Sequence, residues 1–173
     1  MLKSHWVIVV MDQYTRRIIG FAVHAGVLDG PTVCRMFNSI IGGSTSPQYL
    51  SSDNNPLFAF HQWNANLRIL DVTEVKTVPY VPLSYPFVER LIGTIRREYL
   101  DQIPFWGALD LERKLLLFNE YYNRDRVHRG LNRAAPHTQD RQCTSQQTRL
   151  RAFYSLNCYG WIPGRERSSH WIL

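Results

Sequence analysis

The first forty residues contain two short apolar runs followed by an amphipathic segment. The runs, Trp6–Met11 and Ile18–His24, are separated by turn-type residues and predict an antiparallel hairpin. Neither run keeps a polar face, so both strands are expected to be covered on both sides, as in an α/β sheet. The tripeptide Asp29-Gly30-Pro31 then offers a cap and a first-turn proline. Together with apolar residues at helical spacing, it predicts a helix that ends at a pair of glycines.

The chain continues to alternate strand-like and helix-like segments as far as residue 123. Three prolines within eight residues interrupt this alternation and predict a surface loop. Strands that alternate with helices are typical of the α/β class. The predicted segments are a strand at 48–52, a helix at 56–66, a strand at 72–78, a loop at 79–86, and helices at 87–102 and 107–123. The apolar residues expected to be buried include Phe60 in the helix at 56–66 and Leu116 in the helix at 107–123.

Composition limits the class of protein. With 173 residues and 45% hydrophobic residues, the chain is long and apolar enough for one core. No apolar run approaches the length of a membrane span, and the start of the chain lacks the plan of a signal peptide, so a cytoplasmic protein without membrane contact is expected. Three widely spaced cysteines predict reduced thiols rather than a zinc site.

The charge of the chain points towards nucleic acid. Twenty Lys and Arg against fourteen Asp and Glu give a net charge of +6, and most of the basic residues are Arg. A planar guanidinium pairs with phosphate through two hydrogen bonds, which favours a nucleic-acid partner. Taken alone, however, this charge favours a solvated face without a partner.

Two acidic residues stand at positions where carboxylates can share a metal. Asp53 follows the predicted strand at 48–52, and Glu89 lies in the first turn of the predicted helix at 87–102. Thirty-five residues separate them. In open α/β folds the carboxyl edge of the sheet carries the chemistry, so both residues are candidates for a metal site.

The flanks of these two residues resemble a known family. Asp53 lies in Ser52-Asp53-Asn54-Asn55-Pro56-Leu57-Phe58, and Glu89 lies in Phe87-Val88-Glu89-Arg90. Downstream, 118–131 contains Tyr-Tyr-Asn followed by Arg, His and Leu, and upstream 9–23 pairs two apolar segments around a turn. In this order, these motifs resemble the catalytic core of retroviral-integrase-like DDE transposases from bacterial insertion sequences.

The resemblance implies a fold, a reaction and a set of partners. The fold would be ribonuclease H-like, a mixed sheet flanked by helices, with the core at 1–139 and a C-terminal tail of unknown structure at 140–173. The reaction would be metal-dependent DNA cleavage and strand transfer, with Asp53 and Glu89 holding Mg²⁺ or Mn²⁺. Partners would be transposon ends, target DNA, and a second copy or a full-length transposase. Residues expected to contact DNA are Arg90, Arg96, Arg97, Arg126, His128 and Arg129.

One part of the family pattern is missing. The resembled family carries its first catalytic Asp on a strand before the one matched by Val7–Met11, and this chain starts too late to contain that strand. Two unpaired strand edges would then face a gap inside the sheet, favouring aggregation or a strand borrowed from another molecule. With two carboxylates instead of three, weak metal binding and low activity are expected. Whether the chain is an enzyme stays open.

Two other functions stay open beside this one. The chain could be a non-catalytic remnant that binds DNA or pairs with a transposase. It could also be a ribonuclease H-like nuclease that uses Asp12, Asp53 and Glu89. Asp12 is followed by Gln-Tyr-Thr-Arg, however, and reads as a turn residue whose side chain bonds nearby backbone.

Overall fold

The structure is a computed structural model that describes residues 5–43, 46–52, 56–76, 86–127, 135–136 and 153–161. For 86–89 and 153–161 the description covers the backbone. The strands are β1 (His5–Asp12), β2 (Ile18–Ala25), β3 (Tyr49–Ser52), β4 (Thr73–Lys76) and β5 (Phe153–Trp161). The helices are α1 (Gly30–Ile41), α2 (His61–Ile69), α3 (Pro86–Ile95) and α4 (Ala108–Arg124), with a 3-10 turn at Pro56–Phe58 and a π-helical turn at Arg96–Leu100.

The five strands form one mixed sheet in the order β2-β1-β5-β3-β4. The predicted hairpin is confirmed, because β1 and β2 pair antiparallel from His5 opposite Ala25 to Met11 opposite Ile18. Strand β5 pairs antiparallel with β1 and parallel with β3. The strand between β1 and β3 therefore comes from the C-terminal part of the same chain.

This position of β5 corrects the expectation of an open gap in the sheet. The edges of β1 and β3 that were expected to be unpaired both hydrogen-bond to β5. Unpaired backbone N–H and C=O groups at a strand edge are costly when buried, so they favour pairing with another strand. Residues 153–161 provide that strand. The division of the chain at residue 139 stays a prediction, but 153–161 belong to the sheet of the core.

Side chains of β1 alternate between two apolar clusters, one on each face of the sheet. Ile8 and Val10 pack with α1 and α2, and Val7 and Val9 pack with α3 and α4. This confirms the prediction that the strand is covered on both sides. All of these side chains are at most 9% exposed.

Helix α1 forms where its capping residues predict it. The carboxylate of Asp29 accepts a hydrogen bond from the backbone N–H of Thr32 at 2.9 Å, and Pro31 lies in the first turn. The apolar residues of the helix are buried against the sheet at the predicted spacing. These residues are Val33, Met36, Phe37, Ile40 and Ile41.

The predicted helix at 56–66 is wrong in its bounds. Residues 56–58 form a 3-10 turn, and Phe60 takes an extended conformation before α2 begins at His61. Phe60 was expected to be buried, but its side chain is 42% exposed and lies across the start of α1. A Cβ at Gly30 would come within 3.2 Å of the Phe60 side chain, so a larger residue here would have to displace that side chain by a few tenths of an ångström.

Two further predictions need correction, and one falls outside the described residues. Leu116 of α4 was expected to pack inward but is 55% exposed. The helix predicted at 87–102 changes at residue 96 into a π-helical turn, in which the N–H of Asp101 donates to the carbonyl of Arg96 at 2.8 Å. Residues 79–85 of the predicted proline-rich loop are not among those described, and Pro86 begins α3. None of the helices in the described part of the chain is long and apolar enough to span a membrane.

Candidate active site

The end of β3 is held by a buried polar contact. Ser52, the last residue of the strand, is fully buried, and its hydroxyl donates to Oε1 of Glu74 on β4 at 2.5 Å. The indole N–H of Trp63 on α2 donates to the same oxygen at 3.0 Å. This contact fixes the strand end relative to β4 and α2. The predicted ligand Asp53 is the next residue in the chain and lies outside the described residues.

Helix α3 lies on the face of the sheet opposite to α1. Leu91 and Ile95, which are 1% and 5% exposed, pack in the same cluster as Val9 of β1. Glu89 is the fourth residue of this helix, in its first turn, where the helix dipole stabilises a negative charge. Its side chain is not among those described. The backbone of α3 therefore agrees with the prediction, and the ligand role of Glu89 stays a prediction.

Asp12 is the last residue of β1, and its carboxylate accepts hydrogen bonds from the turn that follows, as its sequence context indicates. Its Oδ1 accepts the backbone N–H of Tyr14 at 2.9 Å, and its Oδ2 accepts the hydroxyl of Thr15 at 2.7 Å. Asp12 also lies away from the end of β3. The strand register sets it level with Leu50, two strands across, which puts it about 12 Å from Ser52 by ordinary strand spacings. This geometry argues against a nuclease site that includes Asp12.

Arg96 and Arg97 lie on the π-helical turn that follows α3. Arg97 is exposed, and its guanidinium lies against Gly93, where a Cβ would come within 3.3 Å of two of its nitrogens. Arg96 is half-buried, and Arg90 on α3 is exposed. The exposed guanidiniums of Arg90 and Arg97 can reach a phosphate without rearrangement of the core.

Arg126 takes part in a structural contact that sequence reasoning missed. Its guanidinium donates to both carboxylate oxygens of Glu98, at 2.8 and 3.1 Å, and lies 5.5 Å from the centre of the Tyr122 ring. The hydrogen bond to Glu98 raises the pKa of Arg126, and burial raises the pKa of Tyr122 to about 12. Arg126 thus joins the π-helical turn to the end of α4. The other predicted DNA contacts in this region, His128 and Arg129, lie outside the described residues.

The side chain of Asn123 connects α4 to β2 of the hairpin through hydrogen bonds. Its side-chain amide accepts from the backbone N–H of Ile18 and donates to the carbonyl of Ile18, both at 2.9 Å. It also donates to Oδ1 of Asn119 at 2.6 Å. The Tyr-Tyr-Asn motif contains this residue, but no sequence signal indicates which strand the amide contacts.

The oxygen donors at this edge of the sheet suit a hard divalent cation. In the sequence, the predicted ligands Asp53 and Glu89 offer carboxylate oxygens, and Asn54 and Asn55 next to Asp53 offer amide oxygens, without a thiol or imidazole among them. Mg²⁺ and Mn²⁺ prefer such ligands. Within the described residues, no group of three or more His, Cys, Asp or Glu side chains could hold a metal. The donor chemistry of the predicted ligands therefore fits such a cation.

Comparison with known proteins supports the predicted fold. Residues 70–136 match the family model described as Integrase core domain. Solved integrase cores that are 16–20% identical to the chain share its fold. The resemblance to integrase-like cores and the ribonuclease H-like α/β class are thereby confirmed, whereas an origin in bacterial insertion sequences stays a prediction. No curated protein sequence matches the chain significantly.

Three solved structures illustrate the likeness. An integrase complex (intasome) of simian T-cell lymphotropic virus bound to a PP2A regulatory subunit has a chain that matches with a TM-score of 0.60 and 17% identity. The match covers 76% of the present chain and 46% of that chain, so the present chain spans less than half of it. The BIV integrase catalytic core matches with a TM-score of 0.58 and 20% identity over 82% and 90% of the two chains. The HTLV-2 integrase catalytic core, solved with magnesium in a trimeric form, matches with a TM-score of 0.54 and 16% identity. That match covers 75% of the present chain and 80% of the HTLV-2 chain.

Proposed function

We infer that the protein is the core of a DNA integrase or transposase that cleaves and joins DNA strands with the help of divalent metal. The observation that carries this inference is the backbone arrangement: β3 ends one residue before Asp53, and α3 carries Glu89 in its first turn, on an integrase-core fold. A carboxylate that follows β3 and another in the first turn of α3 support a proposal in which the two share a metal.

Asp53 and Glu89 are the residues that would hold the metal. A bound Mg²⁺ or Mn²⁺ would supply Lewis acidity at a phosphodiester. The buried Ser52–Glu74–Trp63 contact keeps the end of β3 in a fixed position, and this supports a ligand role for the residue that follows in the sequence. The packing of Leu91 and Ile95 holds the rest of α3 against the sheet.

DNA is the proposed substrate, and basic side chains are its proposed contacts. Arg90 and Arg97 are exposed on α3 and on the turn that follows it, and Arg96 lies between them. Arg126, His128 and Arg129 complete the proposed set, although Arg126 would first have to leave Glu98. The solved HTLV-2 integrase cores are described in trimeric and dimeric forms, so a homo-oligomer is a reasonable assembly for this chain.

A plasmid-nicking assay tests the proposal without knowledge of an element end. Supercoiled plasmid is incubated with the protein and Mn²⁺ or Mg²⁺, and open circles are counted over time. Asp53→Asn and Glu89→Gln should each reduce the nicking rate by more than about 100-fold, since even residues that only support a metal ligand cost 10- to 100-fold. Asp12→Asn is the matched control and should retain the rate. An equal loss of nicking rate in Asp12→Asn would favour the nuclease that uses Asp12. A nicking rate that none of the three substitutions changes would refute the proposal.

A second candidate, DNA binding without catalysis, is favoured by the net charge of +6 and by the exposed Arg90 and Arg97. It predicts binding to duplex DNA that weakens steeply with salt and that survives Asp53→Asn. The measurement is a fluorescence-anisotropy titration at several salt concentrations. Absence of binding at low salt would remove this candidate.

A further inference from the structure

Two ion pairs at the C-terminal end of α4 differ in how firmly they hold their arginine. Arg124 pairs with Glu120 one turn back on the same helix, and the two side chains are 64% and 57% exposed. Arg126 pairs with Glu98 of the π-helical turn, and its side chain is 24% exposed. An exposed pair within one helix is weak, whereas two parallel hydrogen bonds to a largely buried guanidinium are strong and directional. Glu98 therefore occupies one hydrogen-bonding edge of Arg126.

Arg126 is held in place by contacts other than those with Glu98. Its backbone N–H donates to the carbonyl of Tyr121 at 3.0 Å, and its guanidinium lies 5.5 Å from the centre of the Tyr122 ring. Burial raises the pKa of Tyr122 to about 12, so the phenol is uncharged at neutral pH and its ring attracts the guanidinium as a cation–π partner. The guanidinium thus has a position of its own, which does not depend on the carboxylate.

The carboxylate of Glu98 stands among positive charges. Arg96 and Arg97 precede it on the π-helical turn, and its partner Arg126 comes from the end of α4. A carboxylate and a phosphate present the same pair of oxygens to a guanidinium. The Nε and Nη2 atoms of Arg126 donate to the two oxygens of Glu98, so a phosphate that binds this edge has to displace the carboxylate.

We propose that Glu98 is an internal competitor of phosphate, which occupies Arg126 in the free protein and turns into solvent when a phosphate of duplex DNA takes its place. The side chain of Glu98 is 45% exposed, so it can leave without opening the core. This inference rests on the proposed function for DNA as the source of the phosphate. It assigns to Glu98 the regulation of DNA affinity through a single exchange of anions.

The test compares the affinity of the unchanged chain and of Glu98→Gln for a fluorescent DNA duplex, by anisotropy titration at several salt concentrations. The glutamine keeps the shape of the side chain and one acceptor oxygen but loses the charge. Glu98→Gln should bind DNA at least about threefold more tightly, because releasing Arg126 no longer costs an ion pair. The slope of log affinity against log salt concentration should become steeper by about 0.9, the contribution of one further phosphate contact.

The matched control is Glu120→Gln, which removes the same charge from the exposed pair at the same end of α4. It should give a smaller gain in affinity than Glu98→Gln, since Arg124 is held only weakly. Equal gains in the two variants would mean that any lost negative charge has the same effect, and would overturn the inference.

A double substitution shows whether the gain depends on Arg126. Glu98→Gln combined with Arg126→Ala should bind DNA no more tightly than Arg126→Ala alone. If the gain persists without Arg126, Glu98 only repels DNA at a distance and does not compete for this guanidinium.

The outcomes separate this inference from the proposed function. If the chain binds DNA and Glu98→Gln changes neither the affinity nor the salt slope, the DNA partner stands and the role of Glu98 is refuted. If the unchanged chain and all variants fail to bind DNA at low salt, the proposed DNA partner is refuted and the inference with it.

A second measurement keeps the inference testable if Glu98→Gln fails to fold. In the unchanged chain, the NMR signal of the Nε–H of Arg126, which donates to Glu98 at 3.1 Å, should shift as DNA is added. A signal that stays in place while DNA saturates the protein would show that Arg126 keeps its carboxylate partner, and would overturn the inference.

Discussion

Strands β1 and β5 lie side by side in the middle of the sheet, yet they are held there by different parts of the sequence. β1 pairs with β2 through a turn of five residues between Asp12 and Ile18, so one of its two neighbours is local. β5 has two neighbours that both lie about a hundred or more positions earlier in the chain. The position of β5 depends on the unpaired edges of β1 and β3. Closing such long loops costs conformational entropy, and only the complete set of hydrogen bonds to both strands offsets it.

The largest loss of stability is expected from a proline in the central strand β5. Leu156→Pro removes the N–H of a residue that is paired on both sides, with Val10 and with Ser52. We expect a loss of about 3 kcal/mol or more in the free energy of unfolding, a large share of the total stability of an ordinary domain. Denaturant unfolding followed by circular dichroism measures this loss.

The matched control for this substitution is Lys76→Pro in the edge strand β4. The N–H of Thr73 points to the carbonyl of Gln48 beside β3, and N–H directions alternate along a strand, so the N–H of Lys76 points away from β3. Lys76→Pro should therefore cost less than about 1 kcal/mol. Equal losses in the two variants would mean that β5 is no more central than the edge.

A second, smaller effect is expected where α4 anchors the hairpin half of the sheet. Asn123→Ala would leave both the N–H and the carbonyl of Ile18 without their side-chain partner. Buried polar groups that lose a partner cost about 1–3 kcal/mol. Asn119→Ala, which removes only the contact between the two amides, should cost less in the same unfolding assay. If Asn123→Ala leaves the free energy of unfolding unchanged, the hydrogen bonds between Asn123 and Ile18 do not stabilise the fold.

The smallest effect is a pH dependence at the cap of α1, the helix that covers the other face of the hairpin. The hydrogen bonds from Thr32 hold the pKa of Asp29 below its ordinary value of 3.8. A carboxyl whose pKa is lower in the folded state stabilises the fold above its unfolded pKa, and this stabilisation is lost as the pH falls through the folded value. Stability should thus be insensitive to Asp29 from pH 7 down to about pH 4 and decline below it. Asp29→Asn, an uncharged cap, should show a shallower decline in acid melts, and identical slopes would contradict the assignment.

The hairpin and α1 could be predicted because their signals are local. Two apolar runs with a turn between them, and an Asp-Gly-Pro start followed by apolar residues at helical spacing, each specify one element. The position of β5 could not be predicted in this way. Residues 153–161 show no alternation that distinguishes a strand from a tail, and what selects them is the unpaired edges of β1 and β3, which only the assembled sheet presents.

In the candidate site, too, the features that depend on neighbouring residues could be predicted, and those that depend on distant contacts could not. The spacing of Asp53 and Glu89 and the turn role of Asp12 were accessible from sequence, because each rests on residues within a few positions. The contact of Ser52 with Glu74 and Trp63 was not, since Glu74 stands in an alternating strand and reads as a solvent-facing residue. Arg126 was assigned to DNA from charge alone, whereas its contact with Glu98 depends on how the π-helical turn meets α4.

The most direct test of this account is native-state hydrogen exchange of the backbone amides in β5 compared with those in β1, measured by NMR in the monomeric protein. If β5 is the central strand, the amides of Leu156 and Cys158 should be protected to the same extent as those of Ile8 and Val10, at the level of global unfolding. If the β5 amides exchange as fast as those of an unfolded peptide while β1 stays protected, the C-terminal strand does not complete the sheet.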